Sequence, residues 1–408
     1  MSMAWRNLWR NARRTWLTVL GMAFGLMLSV VIMGMSSGTY GEMIDYAAHM
    51  GAGHISIEHE DYRNVPQAVN HVAVPPEFLD ELRATAGVRG VLSRVTAAGL
   101  LSTAHGSASA SVIGIDTARE SPSTMPMLKS VSSTRSAQAT LDPGQIWLGA
   151  TLRENLDVAE GRRVVLTFTD QGGEVVTKLA RVSGVLNTGA PSVDGGVALV
   201  PISDLQEGLG FDSNEVTYEA ILLDDHRDAE VIASSINSRL TTPKRALTWY
   251  EAQPQLASFI AVDGSTGIII QFIVLLLLAA GVFNTIFVSV VERRREFGVL
   301  RAIGFSRGQI FRLVLAESAW IAVLGLVTGT VLTIGPYLHL SEHGIDISEM
   351  IAEGTEVSGV AMQPILKVRI YPIQAARIAV VVVVATLIAG LAPAWSACKR
   401  LPAAVLRG

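Results

Sequence analysis

The sequence has little of what a soluble enzyme needs. Its 408 residues contain one cysteine, Cys398, so no disulfide can form within the chain, and we interpret this residue as a structural thiol. The phosphate-binding pattern G-x-x-x-x-G-K-[ST] is missing, because the one lysine followed by serine or threonine, Lys129, is preceded by Leu128. No H-E-x-x-H motif is present, and no paired catalytic carboxylates stand out. We therefore expect neither ATP hydrolysis nor direct catalysis on this chain.

The chain also has no excess of positive charge, with 32 Lys and Arg against 36 Asp and Glu. The formal net charge is −4, which argues against a nucleic acid as the main partner. His54, Ser56 and Glu58 share one face of a predicted strand, but they do not make a closed ligand set. We therefore expect no metal site.

What the chain has in excess is apolar residues. They form 50% of the sequence, the mean hydropathy is +0.39, and they are bunched into four segments. Segments of this length span a bilayer as helices, which predicts membrane spans at residues 15–38, 266–291, 310–336 and 373–397. The first span follows four arginines, but it is longer than a signal-peptide core and no A-x-A site follows. We expect it to be retained.

The residues between the first two spans, 39–262, have soluble character and mix strand-like and helix-like patterns. They predict an α+β domain outside the cytoplasm. Its two outer parts, about 39–116 and 214–262, are expected to pair around a β-rich insert at about 117–213. The stretch Ser121–Thr140, rich in Ser, Thr and Pro, is predicted to lead flexibly into that insert, and residues 337–372 to form a second external loop.

Arginines crowd the segments that flank the spans. Residues 1–14 predict an amphipathic helix in the membrane interface, and residues 292–309 predict a short cytoplasmic helix in which Phe297, Leu300 and Ile303 recur at i, i+3 and i+6. Arg293, Arg294, Arg295 and Arg301 place this side in the cytoplasm by the positive-inside rule. Gly304 is expected to end this short helix. From topology alone, the segment is a basic turn between two helices.

Three motifs in the right order resemble one family. Glu292-Arg-x-x-Glu296-Phe-Gly-x-Leu-Arg301-Ala-x-Gly304 is similar to the cytoplasmic coupling helix of ABC permeases in the MacB, lipoprotein-releasing and FtsX superfamily. Ala4-Trp-Arg-Asn-Leu8 and Arg400-Leu-Pro402-Ala-x-x-Leu406-Arg407 resemble the family's two ends. The resemblance implies a shoulder helix at 1–14, a cytoplasmic tail at 398–408, and an ATPase-coupling set: Glu292, Arg293, Arg294, Arg295, Glu296, Phe297, Gly298, Leu300, Arg301, Ile303 and Gly304.

Several polar, methionine and aromatic residues within the predicted spans are further candidates for functional contacts. Glu317 is costly at membrane depth and is expected to pair with Arg301 or Arg312. Asn284 either bonds a neighbouring helix or faces a central cavity. Four side chains, Met22, Met27, Met33 and Phe283, are candidates for a substrate cavity or for plain core packing. Gly325 and Gly329 offer a face for close helix packing.

The resemblance also implies a function. It implies a non-catalytic, multi-pass permease subunit of the bacterial inner membrane with both termini in the cytoplasm. Such a subunit extracts lipoproteins and passes them to a periplasmic carrier, by mechanical transmission from a separate ATPase that binds ATP and Mg. A second permease, identical or homologous, completes the complex. Two alternatives remain: MacB-type efflux with an adaptor and an outer-membrane duct, and FtsX-like signalling to a periplasmic hydrolase.

Overall fold

A computed structural model of the chain describes residues 2–132, 141–350, 355–357, 360–361 and 364–399. Its helices there are α1 (Ser2–Arg10), α2 (Ala12–Met50), α3 (Pro76–Arg83), α4 (Ala150–Asn155), α5 (Pro191–Gly196), α6 (Ile202–Leu209), α7 (Ala229–Asn237), α8 (Trp249–Ala252), α9 (Pro254–Glu292), α10 (Arg294–Ala302), α11 (Arg307–Glu342) and α12 (Pro372–Lys399).

The strands in the same residues are β1 (Ile55–His59), β2 (Val72–Ala73), β3 (Val88–Ser102), β4 (Ser107–Ile115), β5 (Val131–Ser132), β6 (Gln145–Gly149), β7 (Arg163–Thr169), β8 (Val175–Leu186), β9 (Val197–Pro201), β10 (Glu215–Val216), β11 (Tyr218–Leu223), β12 (Lys244–Thr248), β13 (Ile345–Asp346), β14 (Glu356–Val357), β15 (Val360–Ala361) and β16 (Ile365–Leu366).

The chain divides into two compact units. The helical unit comprises Met1–Thr39, Ala261–Ile347 and Ile365–Gly408, and the sheet unit comprises Tyr40–Ile260 and Ser348–Pro364.

Four helices of the described chain, α2, α9, α11 and α12, are long and apolar enough to cross a membrane. The prediction of four such segments is confirmed, but their ends differ from the predicted spans. Helix α2 continues twelve residues beyond 38 because Met43 and Ala47 pack with Leu256 and Val360 in a core of the sheet unit. In the same way, α9 begins twelve residues before 266, and α11 runs into the predicted second loop as far as Glu342.

Local signals explain the helix ends around the basic segment. Helix α10 stops at Ala302, and Gly304 follows with φ +106°, a conformation that favours glycine. The Phe305 N–H donates to the Leu300 carbonyl at 3.0 Å. Ser306 and Gln309 then form a capping box at the start of α11. The predicted stop at Gly304 is confirmed.

The sheet unit is built on a ten-stranded sheet in the order β12-β1-β11-β3-β4-β9-β6-β8-β5, with β7 paired to β3 and β8. The strands of the predicted insert, β5 to β9, occupy one end of this sheet, and β4 joins β9 in parallel register. The main core lies on one face, where apolar side chains of β1, β3, β6 and β11 pack against α3, α4, α6 and α7.

Residues 121–132 are more ordered than predicted. A short 3-10 helix at Pro126–Ser130 leads into β5, and Met125 and Met127 are buried near Trp147. These two apolar side chains fix a stretch whose Ser, Thr and Pro content predicts flexibility. Residues 133–140 and the tail motif Arg400 to Arg407 lie outside the described residues.

Candidate functional site

Helix α10 has two distinct faces. Phe297 is buried among apolar side chains of the helical unit, and the guanidinium of Arg293 lies 5.2 Å from its ring centroid. Val299 and Ile303, by contrast, are 50% and 72% exposed. Residues four apart share a helix face. One face of α10 therefore anchors the helix to its own chain, and the other presents two apolar side chains to the outside.

This arrangement corrects the predicted role of Phe297. At 3.6 residues per turn, side chains six positions apart point about 120° away from each other. Phe297 and Ile303 therefore cannot face the same partner, although their spacing looks like one apolar stripe. Ile303 points outward, Leu300 is half-buried against the core, and Val299, which was not in the predicted set, joins Ile303.

A buried ion pair connects the start of α10 to α11. The Nη1 atom of Arg293 lies 2.7 Å from Glu317 Oε1 and 3.0 Å from Oε2. Both residues are less than 9% exposed. The Nε atom of Arg293 donates to Glu296 Oε2 at 3.0 Å. Burial alone would lower the pKa of Arg293, but the two carboxylates outweigh it and raise that pKa. Arg293 is therefore charged, and its guanidinium binds the carboxylates of both Glu296 and Glu317.

The predicted partners of Glu317 are wrong. Arg312 is exposed, and Arg301 donates from Nη1 to the Phe305 carbonyl at 3.4 Å. Arg293 reaches Glu317 because the chain breaks between α9 and α10 at this residue, which turns its side chain inward.

Helix α1 completes the cluster. Asn7 Nδ2 donates to Glu317 Oε1 at 2.8 Å, and Arg10 Nη1 lies 2.5 Å from Glu296 Oε1. Trp5 packs edge-on against Trp320 of α11, with ring centroids 4.9 Å apart. Three elements, α1, α10 and α11, are thus tied together by charge, hydrogen bonds and aromatic contact.

A groove of about 560 Å³ runs along the helical unit between α2 and α9. Its walls are mainly apolar, with Arg14 and Asn284 among the lining side chains. Asn284 is exposed, whereas Thr285 accepts a hydrogen bond from Thr18 at 2.8 Å and Gln271 donates to Ser29 at 2.9 Å. Two polar residues of α9, Gln271 and Thr285, therefore bond to α2, whereas Asn284 faces the open groove.

Of the four candidate cavity residues, Met22 alone lines this groove. Met33 packs at the edge of the helical core, and Phe283 stacks on Phe287 at a centroid distance of 5.7 Å. Met27 is half-buried in α2 and is not part of the lining. The proposed set of four is therefore not brought together.

Comparison with protein families identifies the chain. Residues 15–239, more than half of the sequence, match the model of the MacB-like periplasmic core domain. Residues 268–402 match the FtsX-like permease C-terminal model. The chain belongs to the MacB/FtsX-like ABC permease superfamily. The family resemblance inferred from the three motifs is confirmed.

The permease has named relatives in two branches. It is 26% identical over 288 residues to the lipoprotein-releasing system transmembrane protein LolC of Xylella fastidiosa, an alignment that covers 66% of each chain. It is 24% identical over 387 residues to the macrolide export ATP-binding/permease protein MacB of Sodalis glossinidius, covering 88% of the permease and 55% of that relative. The permease thus spans at most about two thirds of the length of these relatives. With its four apolar helices the permease is a multi-pass membrane protein.

Two solved structures resemble the permease over about half of its length. One is the extracellular domain of the noncanonic ABC-type transporter YknZ from Gram-positive bacteria, with a TM-score of 0.32, 14% identity and coverage of 48% of the permease and 99% of that chain. The other is the periplasmic region of MacB from Actinobacillus actinomycetemcomitans, with a TM-score of 0.34, 12% identity and coverage of 51% and 94%.

The structure also shows contacts that the motifs do not reveal. Glu292 pairs with Arg14 at 2.9 Å, which adds a second link between the end of α9 and the N-terminal segment. Asn7, Arg10 and Arg14 were predicted as membrane-interface residues of a basic helix. Asn7 and Arg10 lie three residues apart on α1, and this spacing is the signal that these two share one face, whereas Arg14 lies on α2.

The glycines of α11 allow α2 to approach closely, as predicted. A Cβ atom on Gly325 would lie 2.8 Å from Met22 Cε, and one on Gly329 would lie 2.7 Å from Leu26 Cδ2 and 3.1 Å from Ala23 Cα. The Ala23 contact is with backbone, which cannot rotate away. Close packing of α2 and α11 therefore depends on these two positions.

Replacing Gly329 by leucine is expected to destabilise the permease by about 1–3 kcal/mol, because the new side chain overpacks the contact with α2. Gly335→Leu is the matched control, since a Cβ on Gly335 of the same helix meets nothing within 4 Å. Thermal denaturation of the detergent-solubilised protein measures both. Equal effects of the two substitutions would contradict the packing assignment.

His54, which precedes β1, and Glu58 of β1 both have structural partners. His54 Nδ1 accepts the Leu223 N–H at 3.0 Å, and its Nε2 lies 3.0 Å from Asp45 Oδ1. Glu58 is fully buried and accepts two hydrogen bonds from Arg63, each 2.7 Å long. Among the residues that the structure describes, no group of three or more His, Cys, Asp or Glu side chains is arranged to hold a metal ion.

Proposed function

We propose that this permease is the transmembrane subunit of an ATP-driven ABC complex in the bacterial inner membrane, with both termini in the cytoplasm. A separate ATPase, which carries the ATP and Mg, docks on α10. Val299 and Ile303 supply the apolar contact, and exposed Glu292 and Arg295 border it. An exposed apolar pair rimmed by charge is typical of a small protein interface. The excess of arginine in this segment supports its cytoplasmic side.

The observation that carries the proposal is the buried pair of Arg293 and Glu317. Their contact at 2.7 Å joins α10 to the membrane helix α11, and Asn7 extends it to α1. A push on α10 by a closing ATPase therefore has to move α11 and α1 as well, since separating the pair would leave a buried charge alone. This is a mechanical route from the ATPase into the membrane.

A second permease, identical or homologous, is proposed to face the groove between α2 and α9. Exposed Asn284 and the apolar lining then belong to an interface or cavity between two subunits. The cargo we propose is a lipoprotein, extracted from the membrane and passed to a periplasmic carrier. Similarity to LolC over 66% of the chain supports this cargo. Similarity to MacB over 88% of the chain supports small-molecule efflux as the alternative.

Depletion of the permease in its host tests the cargo. Mass spectrometry of separated inner and outer membranes is expected to find many lipoproteins retained in the inner membrane. Unchanged lipoprotein sorting together with increased sensitivity to exported compounds would refute lipoprotein release and support efflux. An FtsX-like signalling role would instead leave both unchanged and alter cell-wall hydrolysis.

Ile303→Asp is expected to reduce the copurified ATPase and the transport activity at least about tenfold, because it places a charge in the proposed apolar contact. The variant should fold normally, since exposed substitutions usually change stability by about 0.5 kcal/mol or less. Ile303→Val keeps the apolar surface and is the control. Undiminished copurification and transport in Ile303→Asp would exclude this face as the docking site.

A further inference from the structure

A polar cleft of about 380 Å³ lies in the sheet unit. Helix α3 forms one wall, and the residues after β4 and the turn before β10 form the others. Ser93 of β3 and Glu219 of β11 are directly opposite each other in the sheet and lie at its floor. The volume is that of a site for a small molecule.

Glu219 at the floor is an unusual carboxyl. It is 2% exposed, and the single Ser93 hydroxyl lies 2.8 and 3.0 Å from its two oxygens. One hydroxyl hydrogen cannot satisfy both oxygens. Burial raises the pKa of Glu219 to about 7, against the opposing effects of Arg83 and Arg119. Glu219 is therefore neutral in mildly acidic surroundings and charged in alkaline ones.

Two arginines in the walls have unused donors. Arg83 Nη1 lies 2.6 Å from Asp80 Oδ1, but its Nη2 is buried and has no hydrogen-bond partner in the part of the chain that the structure describes. Arg119 Nε lies 3.5 Å from Asp116 Oδ2, a long contact, and its side chain is 53% exposed. The two aspartates offset the two arginines, so the lining is electrically neutral when Glu219 is protonated.

The wall opposite Arg83 is held in place by its own hydrogen bonds. The amide of Gln206 donates to the carbonyls of Ser213 and Glu215 at 3.2 and 2.9 Å, and this fixes the turn that carries Asn214. A cleft with fixed walls and unsatisfied donors is pre-organised for a ligand.

We propose that this cleft binds a small monoanionic carboxylate. Its oxygens accept hydrogen bonds from Arg83 Nη2 and the Arg119 guanidinium, and Glu219 beneath them is protonated. Guanidinium and carboxylate match in shape and charge. A dianion would place a second negative charge beside Asp80 and Asp116, so the neutral lining favours a single charge. This site goes beyond the proposed transport function and does not depend on it.

The proposal has a defined pH dependence. A bound carboxylate repels the ionised form of Glu219, so binding is linked to uptake of a proton by Glu219. Affinity is therefore full below pH 7 and is lost as the pH rises through that value. Between pH 6 and pH 8 the dissociation constant should rise by up to about tenfold. Asp80, Asp116, Arg83 and Arg119 are the charged groups lining the same cleft.

Calorimetry on the full chain in detergent tests the site, with acetate and N-acetylglycine as probes at up to about 50 mM. Arg83→Gln and Arg119→Gln are each expected to weaken binding about tenfold. Glu219→Gln should keep binding and remove its pH dependence, which a purely structural role would not do. Arg163→Gln, on an exposed arginine of β7, is the matched control.

Three outcomes would overturn the proposal: no binding of either carboxylate, tighter binding of inorganic phosphate than of both, or equal affinity at pH 6 and pH 8. Unchanged affinity in both arginine variants would do so as well. The melting temperature of each variant is recorded. If the melting temperature of Arg83→Gln falls, Arg83→Lys takes its place, because lysine keeps the charge but loses the two-pronged donor and should still weaken binding.

Discussion

Replacing Arg293 by alanine is expected to destabilise the contact between α10 and α11 by about 3–5 kcal/mol, because it leaves Glu317 as an unpaired charge at a buried position. It should also abolish transport while leaving ATP hydrolysis by the partner intact, since α10 could then move without α11. Hydrogen exchange of the α10 amides measures the first effect. Transport per ATP hydrolysed in the purified complex measures the second.

Arg312→Ala is the control for this change. Arg312 lies little more than one helical turn from Glu317 on α11 but is exposed, so its removal should be nearly silent. Replacing both Arg293 and Glu317 by methionine should restore much of the lost stability, because no charge is then left buried. Coupled transport that survives Arg293→Ala would show that the pair only supports the fold.

The second large effect is expected in the sheet unit. Arg94 is fully buried, and its Nε donates to Glu120 Oε1 at 2.8 Å. Its Nη1 donates to the carbonyl of Gly51, the residue that follows α2. Arg94→Ala leaves Glu120 buried without its charge partner and should destabilise β3 by about 3–5 kcal/mol. Amide exchange in β3 and β11 should then become roughly a hundred- to a few thousandfold faster.

A surface arginine of the same unit provides the comparison. Arg245 pairs with Glu251 at 2.9 Å, and its side chain is 56% exposed. Exposed pairs contribute about 0–1 kcal/mol, so Arg245→Ala should scarcely change exchange in β3. If exchange in β3 were as slow in Arg94→Ala as in Arg245→Ala, the buried contacts of Arg94 with Glu120 and Gly51 would not be what stabilises β3.

The sequence predicts the helical unit well because apolar length is a strong signal. Four long apolar runs give four helices. The partner of Glu317 was not predictable in the same way. Arg301 and Arg312 lie nearer to it in sequence, but the break at Arg293 decides which arginine turns inward, and no local pattern marks that break.

Strands are hard to predict from this sequence where the alternation of apolar and polar residues is weak. The longest strand, β3, has the sequence VRGVLSRVTAAGLLS, in which glycines and small residues obscure the period of two. It becomes a strand because it pairs with β4, β7 and β11 at once. By contrast, β-branched residues repeat through β7 and β8, and this pattern is typical of strands.

The candidate coupling site was predicted as a set of residues but not as two faces. The spacing of Phe297, Leu300 and Ile303 identifies a helix, whereas burial decides which residue anchors it and which one faces outward. Val299 was missed for the same reason.

The most direct test of the account is site-specific photo-crosslinking on α10 in intact cells. A photoreactive amino acid at Ile303, which is 72% exposed, is expected to capture a nucleotide-binding ATPase that mass spectrometry identifies. The same probe at Phe297, which is 4% exposed, should capture no other protein. Capture of the ATPase from Phe297, or of no ATPase from Ile303, would contradict the claim that the outward face of α10 receives the motion that Arg293 and Glu317 transmit.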